Sequence, residues 1–165
     1  MVKLKGFDEY AKKLAAAPET VKQTLNAVAA ISANNIANAA RRRAPLDDGK
    51  LRASIHVEDV KTGWSVNVAA AHAAYMEFGT KSKVKIPAGL ESYAGQFKGK
   101  GLSGDAKEAI YNWCRKHGIP EDRWYNVFVY IMRFGVKPQP FLFPSVEEER
   151  PKYYEALKKV LDEIT

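Results

Sequence analysis

The sequence predicts an α+β fold: a long N-terminal helix and a C-terminal helix packed on a small antiparallel β-meander, with an inserted helical hairpin. Three observations carry this reading. Val21, Leu25, Val28, Ile31 or Ser32, Ile36, Ala39 and Ala40 recur at steps of three and four, which marks one face of a helix. After "APLDDG" the period drops to two: Leu51, Ala53, Ile55 and Val57 alternate with Arg52, Ser54, His56 and Glu58, the pattern of a half-buried strand. Two further helix-spaced stretches, 106–117 and 124–132, then stand between the strands and the closing segment.

Each element has a physical reason. "FDEYAKKLAA", residues 7–16, reads as a short amphipathic helix. Pro18 suits the first turn of the long helix, which would span about 39 Å from there to Arg43. Arg41, Arg42 and Arg43 fall in its last turn, where cations complement the helix dipole. Pro45 disfavours helical geometry at Ala44 and should stop it. Asp47, Asp48 and Gly49 are turn formers, and "KTG" at 61–63 suits a hairpin turn. Trp64, Val66 and Val68 form the second strand, and a third is expected over 74–78. Residues 81–103 hold many lysines and glycines and read as a loop. Ala106, Ala109, Ile110, Trp113, Cys114 and His117 share one helical stripe that ends at Gly118. Trp124, Val127, Phe128, Ile131 and Met132 share another, although "VFVYIM" has high strand propensity. "KPQPFLFP", 137–144, is expected to be extended because of its three prolines. Ser145 with Glu148 reads as a capping box for the last helix. Glu147, Glu148 and Glu149 follow that cap, and Pro151 should kink or restart the helix.

The 165 residues fit a single domain, 1–165, with 81–135 as a basic loop plus helical-hairpin insertion. A lone cysteine precludes an intrachain disulfide. No apolar stretch nears the roughly 20 residues a membrane span needs, and "MVKLKGFDEY" lacks a signal-peptide core. The expectation is a soluble chain made in the host cytoplasm, with no membrane partner. The net charge of +7 is uneven along the chain: residues 1–45 and 81–137 are basic, 46–80 and 138–165 acidic. Mixed sign suits self-association or docking beside nucleic acid.

Candidate chemistry is thin. Ser54, His56 and Glu58 alternate on one strand, but residues two apart are about 7 Å apart along the backbone, poor geometry for a relay. Cys114 lies on an apolar stripe and reads as a core residue. His72 and His117 sit at element ends and read as local. No CxxC, HxxxH or HExxH occurs, so neither a metal site nor a cofactor is expected. "GKGLSG", 99–104, matches GxGxxG without the preceding strand that a dinucleotide site requires. Lys81, Lys83, Lys85, Lys98 and Lys100 are candidates for assembly or for non-specific DNA contact. Glu77, within "AAYMEFGT", is the most informative acid. A carboxylate there is expected to accept turn or helix-terminal N–H groups, or to pair with an arginine of the long helix.

The order of these pieces resembles the tailed-phage neck and tail-component family, the gene-product-ten-like family of a lambdoid phage. The resemblance rests on Ala44, Pro45, Asp47, Gly49, Leu51, Ser54 and Ile55. It continues through Tyr75, Glu77, Phe78, Gly79 and Thr80, and ends with Pro140, Phe141 and Pro144 before a closing helix. It covers residues 6–80 and 135–164. It implies a non-enzymatic virion protein at the head–tail junction, a homo-oligomeric ring around the DNA channel. Head-closure and tail-terminator or tail-tube proteins would be its neighbours. The alternatives are a tail terminator or minor tail protein, a basic nucleic-acid-binding accessory protein, and a small hydrolase using Glu77.

Overall fold

A computed structural model describes residues 18–47, 49–61, 63–80 and 104–162, with side chains from 107 onward in the last stretch. The expected 7–16 helix, the lysine-rich loop and the GxGxxG match therefore lie outside the described residues. The order is α1 (Glu19–Arg43), α2 (Lys50–Ala53), β1 (Ile55–Val60), β2 (Gly63–Val68), α3 (Ala73–Phe78), α4 (Gly104–Lys116), α5 (Trp124–Phe134) and α6 (Leu142–Asp162).

The class is α+β, as the periodicities predict. Helix α1 stops where Pro45 requires, with Ala44 turned to extended geometry at φ −57° and ψ 131°. Two stretches read as strand are helical instead. The first is Lys50–Ala53, one turn entered through Gly49 in the left-handed region at φ 78°. The strand thus begins at Ile55, after Leu51 and Ala53. The second is Ala73–Phe78, which leaves a two-stranded hairpin in place of a meander. Its register pairs Ile55 with Val68 and Val57 with Val66, so alternate apolar residues meet across the strands.

Helix α1 is the centre of the molecule. It packs on the hairpin and along α6, so the C-terminal helix rests chiefly on α1 and not on the sheet. Small side chains make this possible: Ala33, Ala37, Ala39 and Ala40 are buried on α1 and let neighbouring backbones approach closely. The core joins Ala37, Ala40 and Ala44 to Leu51, Ile55 and Phe141. Phe141 is 1 % exposed, and burying such a ring stabilises by about 1.5–3 kcal/mol.

Polar contacts fix the α1–α6 pairing. Glu149 is buried on α6 and accepts from Ser32 Oγ at 3.1 Å and Asn35 Nδ2 at 2.9 Å. Arg43 donates to Ser145 Oγ at 3.0 Å and to Glu148. Arg43, then Lys152, hold the Glu148 carboxyl below its ordinary pKa by hydrogen bonding. Arg43 thus makes tertiary bonds besides complementing the helix dipole, and they go to α6 side chains and not to Glu77. Arg41 also donates to the Ile55 carbonyl and to Asn38 Oδ1.

Helices α4 and α5 pack on each other as the expected helical hairpin, with Tyr111 edge-on to Trp124 at 5.4 Å. The strand propensity of "VFVYIM" is overridden: Trp124, Val127, Phe128 and Ile131 are half-buried at helical spacing, while Met132, expected on the same stripe, is exposed. Asp47 ties the insertion to the loop after α1, accepting from Lys116 Nζ at 2.8 Å and lying 3.1 Å from His117 Nε2. Both pairs are exposed and contribute at most about 1 kcal/mol. Helix α6 runs on through Pro151 without interruption.

Candidate functional site: a carboxylate bracket at the start of the last helix

Glu77 and the segment 141–143, far apart in sequence, meet where α3 ends and α6 begins. Glu77 is 4 % exposed. Its Oε2 accepts from the backbone N–H of Phe141 at 2.8 Å and of Leu142 at 3.0 Å, and its Oε1 from that of Phe143 at 3.0 Å. A helix leaves its first four N–H groups without partners inside the helix. Here three are taken by one carboxylate and the fourth position is Pro144, which has no N–H. All four are accounted for. The negative charge also sits at the positive end of the α6 dipole.

This geometry corrects two expectations. Pro144 lies inside the first turn of α6, where a missing donor costs nothing, so of the stretch 137–144 only 137–141 stays outside the helix. Ser145 is therefore no cap. It lies within the helix, donates to the Phe141 carbonyl at 2.7 Å and accepts from Arg43. The acidic run at 147–149 falls beyond the first turn.

The short helix α3 explains how Glu77 reaches its target. Adjacent strand residues point to opposite faces, yet Glu77 and Phe78 are both buried. Phe78 packs on Phe143 with ring centroids 5.6 Å apart. Gly79 then turns the chain at φ 65°, a left-handed value that favours glycine. Beyond it the 76–80 and 136–139 segments are laced together. Gln139 N–H donates to the Met76 carbonyl at 2.7 Å, Thr80 N–H to the Val136 carbonyl at 3.3 Å, and Val136 N–H to Thr80 Oγ1 at 2.8 Å.

The remaining motif residues lie around the same core. Ala44, Leu51 and Ile55 are buried within it, and Arg52 Nε donates to the Ala44 carbonyl at 3.0 Å beside Pro45. Gly49 opens α2, and Ser54 closes it with its hydroxyl donating to the Leu51 carbonyl at 2.7 Å. Tyr75 is half-buried on α3, whereas Pro140 is exposed beside buried Phe141. Asp47 stands apart from the bracket, in the loop after α1, where it pairs with Lys116. Lys81, Lys83, Lys85, Lys98 and Lys100 lie outside the described residues.

His56 departs from expectation in one respect. Its ring does bridge two partners, with Nδ1 2.9 Å from the Ser54 carbonyl oxygen and Nε2 2.8 Å from Glu58 Oε1. The backbone spacing is spanned by two long side chains. The partner at Ser54 is the carbonyl, however, and the Ser54 hydroxyl is committed to Leu51. The contacts instead favour an imidazolium: the Ser54 carbonyl, then the Glu58 carboxylate, raise the pKa above its ordinary 6.5. The sign follows directly. A raised folded-state pKa gives a stabilising contribution that is full below the unfolded value and is lost as pH rises through the folded value. A proton NMR titration of His56 should give a midpoint above 6.5, and Glu58→Gln should lower it. A midpoint at or below 6.5 in the parent chain would contradict the geometry.

Cys114 is buried. Among the described residues no group of three or more His, Cys, Asp or Glu side chains is placed to hold a metal ion. None of their helices is long and apolar enough to cross a membrane. A cleft of about 360 Å³ lies between α1, β2 and α6, bordered by Ser32, Trp64, Glu149 and Tyr153. Its buried acid is already bonded to Ser32 and Asn35.

Neither the curated proteins nor the solved structures include a significant match to this chain. The family resemblance is matched independently over a part that includes α1 through Gly79, which supplies most of the core and the capping acid. Residues 5–79, just under half of the 165-residue chain, match the family model described as "Bacteriophage HK97-gp10, putative tail-component".

Proposed function

We propose that the protein is a non-enzymatic building block of the tailed-phage virion, placed at the head–tail junction as a ring around the DNA channel. The observation that carries this reading is the Glu77 bracket within the matched family segment. The acid in the Glu-Phe-Gly-Thr motif has both oxygens engaged by backbone N–H groups and is sealed from solvent. General acid–base work needs a carboxyl within reach of a reacting proton, and this one is spent on holding two segments together. The motif thus specifies a rigid subunit. A ring then follows from head-to-tail contacts between copies whose surfaces carry mixed sign. Head-closure and tail-terminator or tail-tube proteins are its neighbours.

Rings of uniform diameter should appear by electron microscopy as the purified protein is concentrated, alone or with the adjoining tail proteins. A chain that stays monomeric under both conditions argues against the ring. The basic segment 81–101 gives a second expectation. Replacing Lys81, Lys83, Lys85, Lys98 and Lys100 by glutamine should weaken salt-sensitive DNA binding or block assembly. If both survive unchanged, these lysines have neither role.

A further inference from the structure

Little joins the α4–α5 hairpin to the rest of the described residues. Its two helices pack on each other, and neither shares an extended face with α1, the strands or α6. Helix α5 is the most apolar of the longer helices, yet it has no buried residue, whereas a helix seated on a core hides its apolar face. Two attachments are described. At one, Gly135 leads from α5 into the laced segment 136–139. It has φ 78° and ψ 179°, a region open essentially to glycine alone. Val136, next to it, is held by Thr80 through two hydrogen bonds. At the other, Asp47 in the loop after α1 accepts from Lys116 Nζ at 2.8 Å and lies 3.1 Å from His117 Nε2. The His117 ring stacks on Trp113 with centroids 4.2 Å apart, so it belongs to the hairpin side of this contact.

We propose that the α4–α5 hairpin is a hinged arm, which pivots at Gly135 and leaves the body when the Asp47 clasp opens. Hinges are a few element-terminal residues that absorb a backbone change, and glycine does so at the least steric cost. The clasp is weak enough to open. Lys116, His117 and Asp47 are all exposed, and an exposed pair favours its closed form by no more than about fivefold, the equivalent of about 1 kcal/mol. The two pairs together favour the docked arm by at most about twenty-five-fold. The body side of the pivot is held more firmly. Segments 76–80 and 136–139 share three hydrogen bonds and adjoin the buried Glu77 bracket. The arm keeps its own fold on release, because the Tyr111–Trp124 contact lies within it. It therefore moves as one piece. This device does not depend on the ring or on the position of the protein in a virion.

Distances between spin labels on the full chain test the arm. Ala27→Cys on α1 and Asn126→Cys on α5 are exposed positions, and Cys114 is buried away from the label. The labelled chain should show one main distance and a minor, displaced component. Asp47→Asn should raise that component about fivefold or more while the circular dichroism stays the same. Salt at about 1 M, which cuts the screening length to about 3 Å, should do so without any substitution and should add little to Asp47→Asn. The exchanged pair Asp47→Lys with Lys116→Asp should restore the original distribution. A second label pair, Ala27→Cys with exposed Gln139→Cys, should keep one distance under every condition, which sets the pivot between residues 126 and 139. An Ala27–Asn126 distribution that Asp47→Asn leaves unchanged, or that salt leaves unchanged in the chain with Asp47 intact, overturns the clasp. A Gln139 label that moves together with Asn126 overturns the pivot. Should Asp47→Asn alter the circular dichroism, the salt series on the chain with Asp47 intact decides alone.

Discussion

Glu77→Ala is expected to destabilise the protein by about 3–5 kcal/mol, the cost of breaking a buried charged network by removing one partner. Three N–H groups at the start of α6 lose their acceptor in a largely buried site. Hydrogen bonds to a charged group contribute about 1.5–3 kcal/mol each, more than a neutral bond. The exposed pairs of this molecule, such as Lys116 with Asp47, are worth at most about 1 kcal/mol, so the bracket dominates them. For a chain of this size the melting temperature should fall by roughly 10 °C or more. Glu77→Gln keeps the shape but exchanges one acceptor oxygen for a donor facing backbone N–H, and should lie between the two. Amide exchange at Phe141, Leu142 and Phe143 should accelerate first. Equal melting temperatures for Glu77→Ala and the parent would show that α6 is capped in another way.

Gly79→Ala should be nearly as damaging, for a different reason. The backbone there has φ 65°, and a Cβ would stand 2.8 Å from the Val136 carbonyl oxygen and 2.9 Å from Pro138 Cδ. Neither neighbour is a flexible side-chain end. A strained backbone of this kind costs about 1–3 kcal/mol, and the clash adds to it by forcing 76–80 away from 136–139. At Gly49 the φ is similarly positive at 78°, but nothing lies within 4 Å of an added Cβ. Gly49→Ala should therefore cost only about 1 kcal/mol, the price of the left-handed conformation alone. Chemical denaturation of the two variants side by side separates strain from crowding. Similar losses for both would contradict the close crossing at Gly79.

Much of the fold was legible because its periodic signals are long. Helix α1 repeats its apolar step along its 25 residues and ends just before a proline, and the first strand alternates through Glu58. The errors fall in short segments, where tertiary contacts outweigh pattern. "AAYMEF" alternates well enough for a strand, yet both Glu77 and Phe78 have inward partners on α6, which only a helical turn supplies. "KLRA" follows a glycine whose left-handed geometry starts a turn, and that geometry is invisible in an alternation count. Prolines were read as barriers to helix, although Pro144 occupies a position that needs no donor. The role of Glu77 as an acceptor of helix-terminal N–H groups was among the options the sequence left open. Its partners were not identifiable, because they lie 64 to 66 residues away. Ser145 and Glu148 offered a nearer capping box and concealed them. The two-partner contact of His56 was missed because backbone spacing was used without side-chain reach.

The most direct test of the central claim is imaging of the virion itself. Cryo-electron microscopy of particles assembled with the tagged chain should show it as a ring at the junction of head and tail. A phage lacking the chain should accumulate capsids and tails that fail to join. Complete, infectious particles formed without it, or a tag found only free in solution, would contradict the claim.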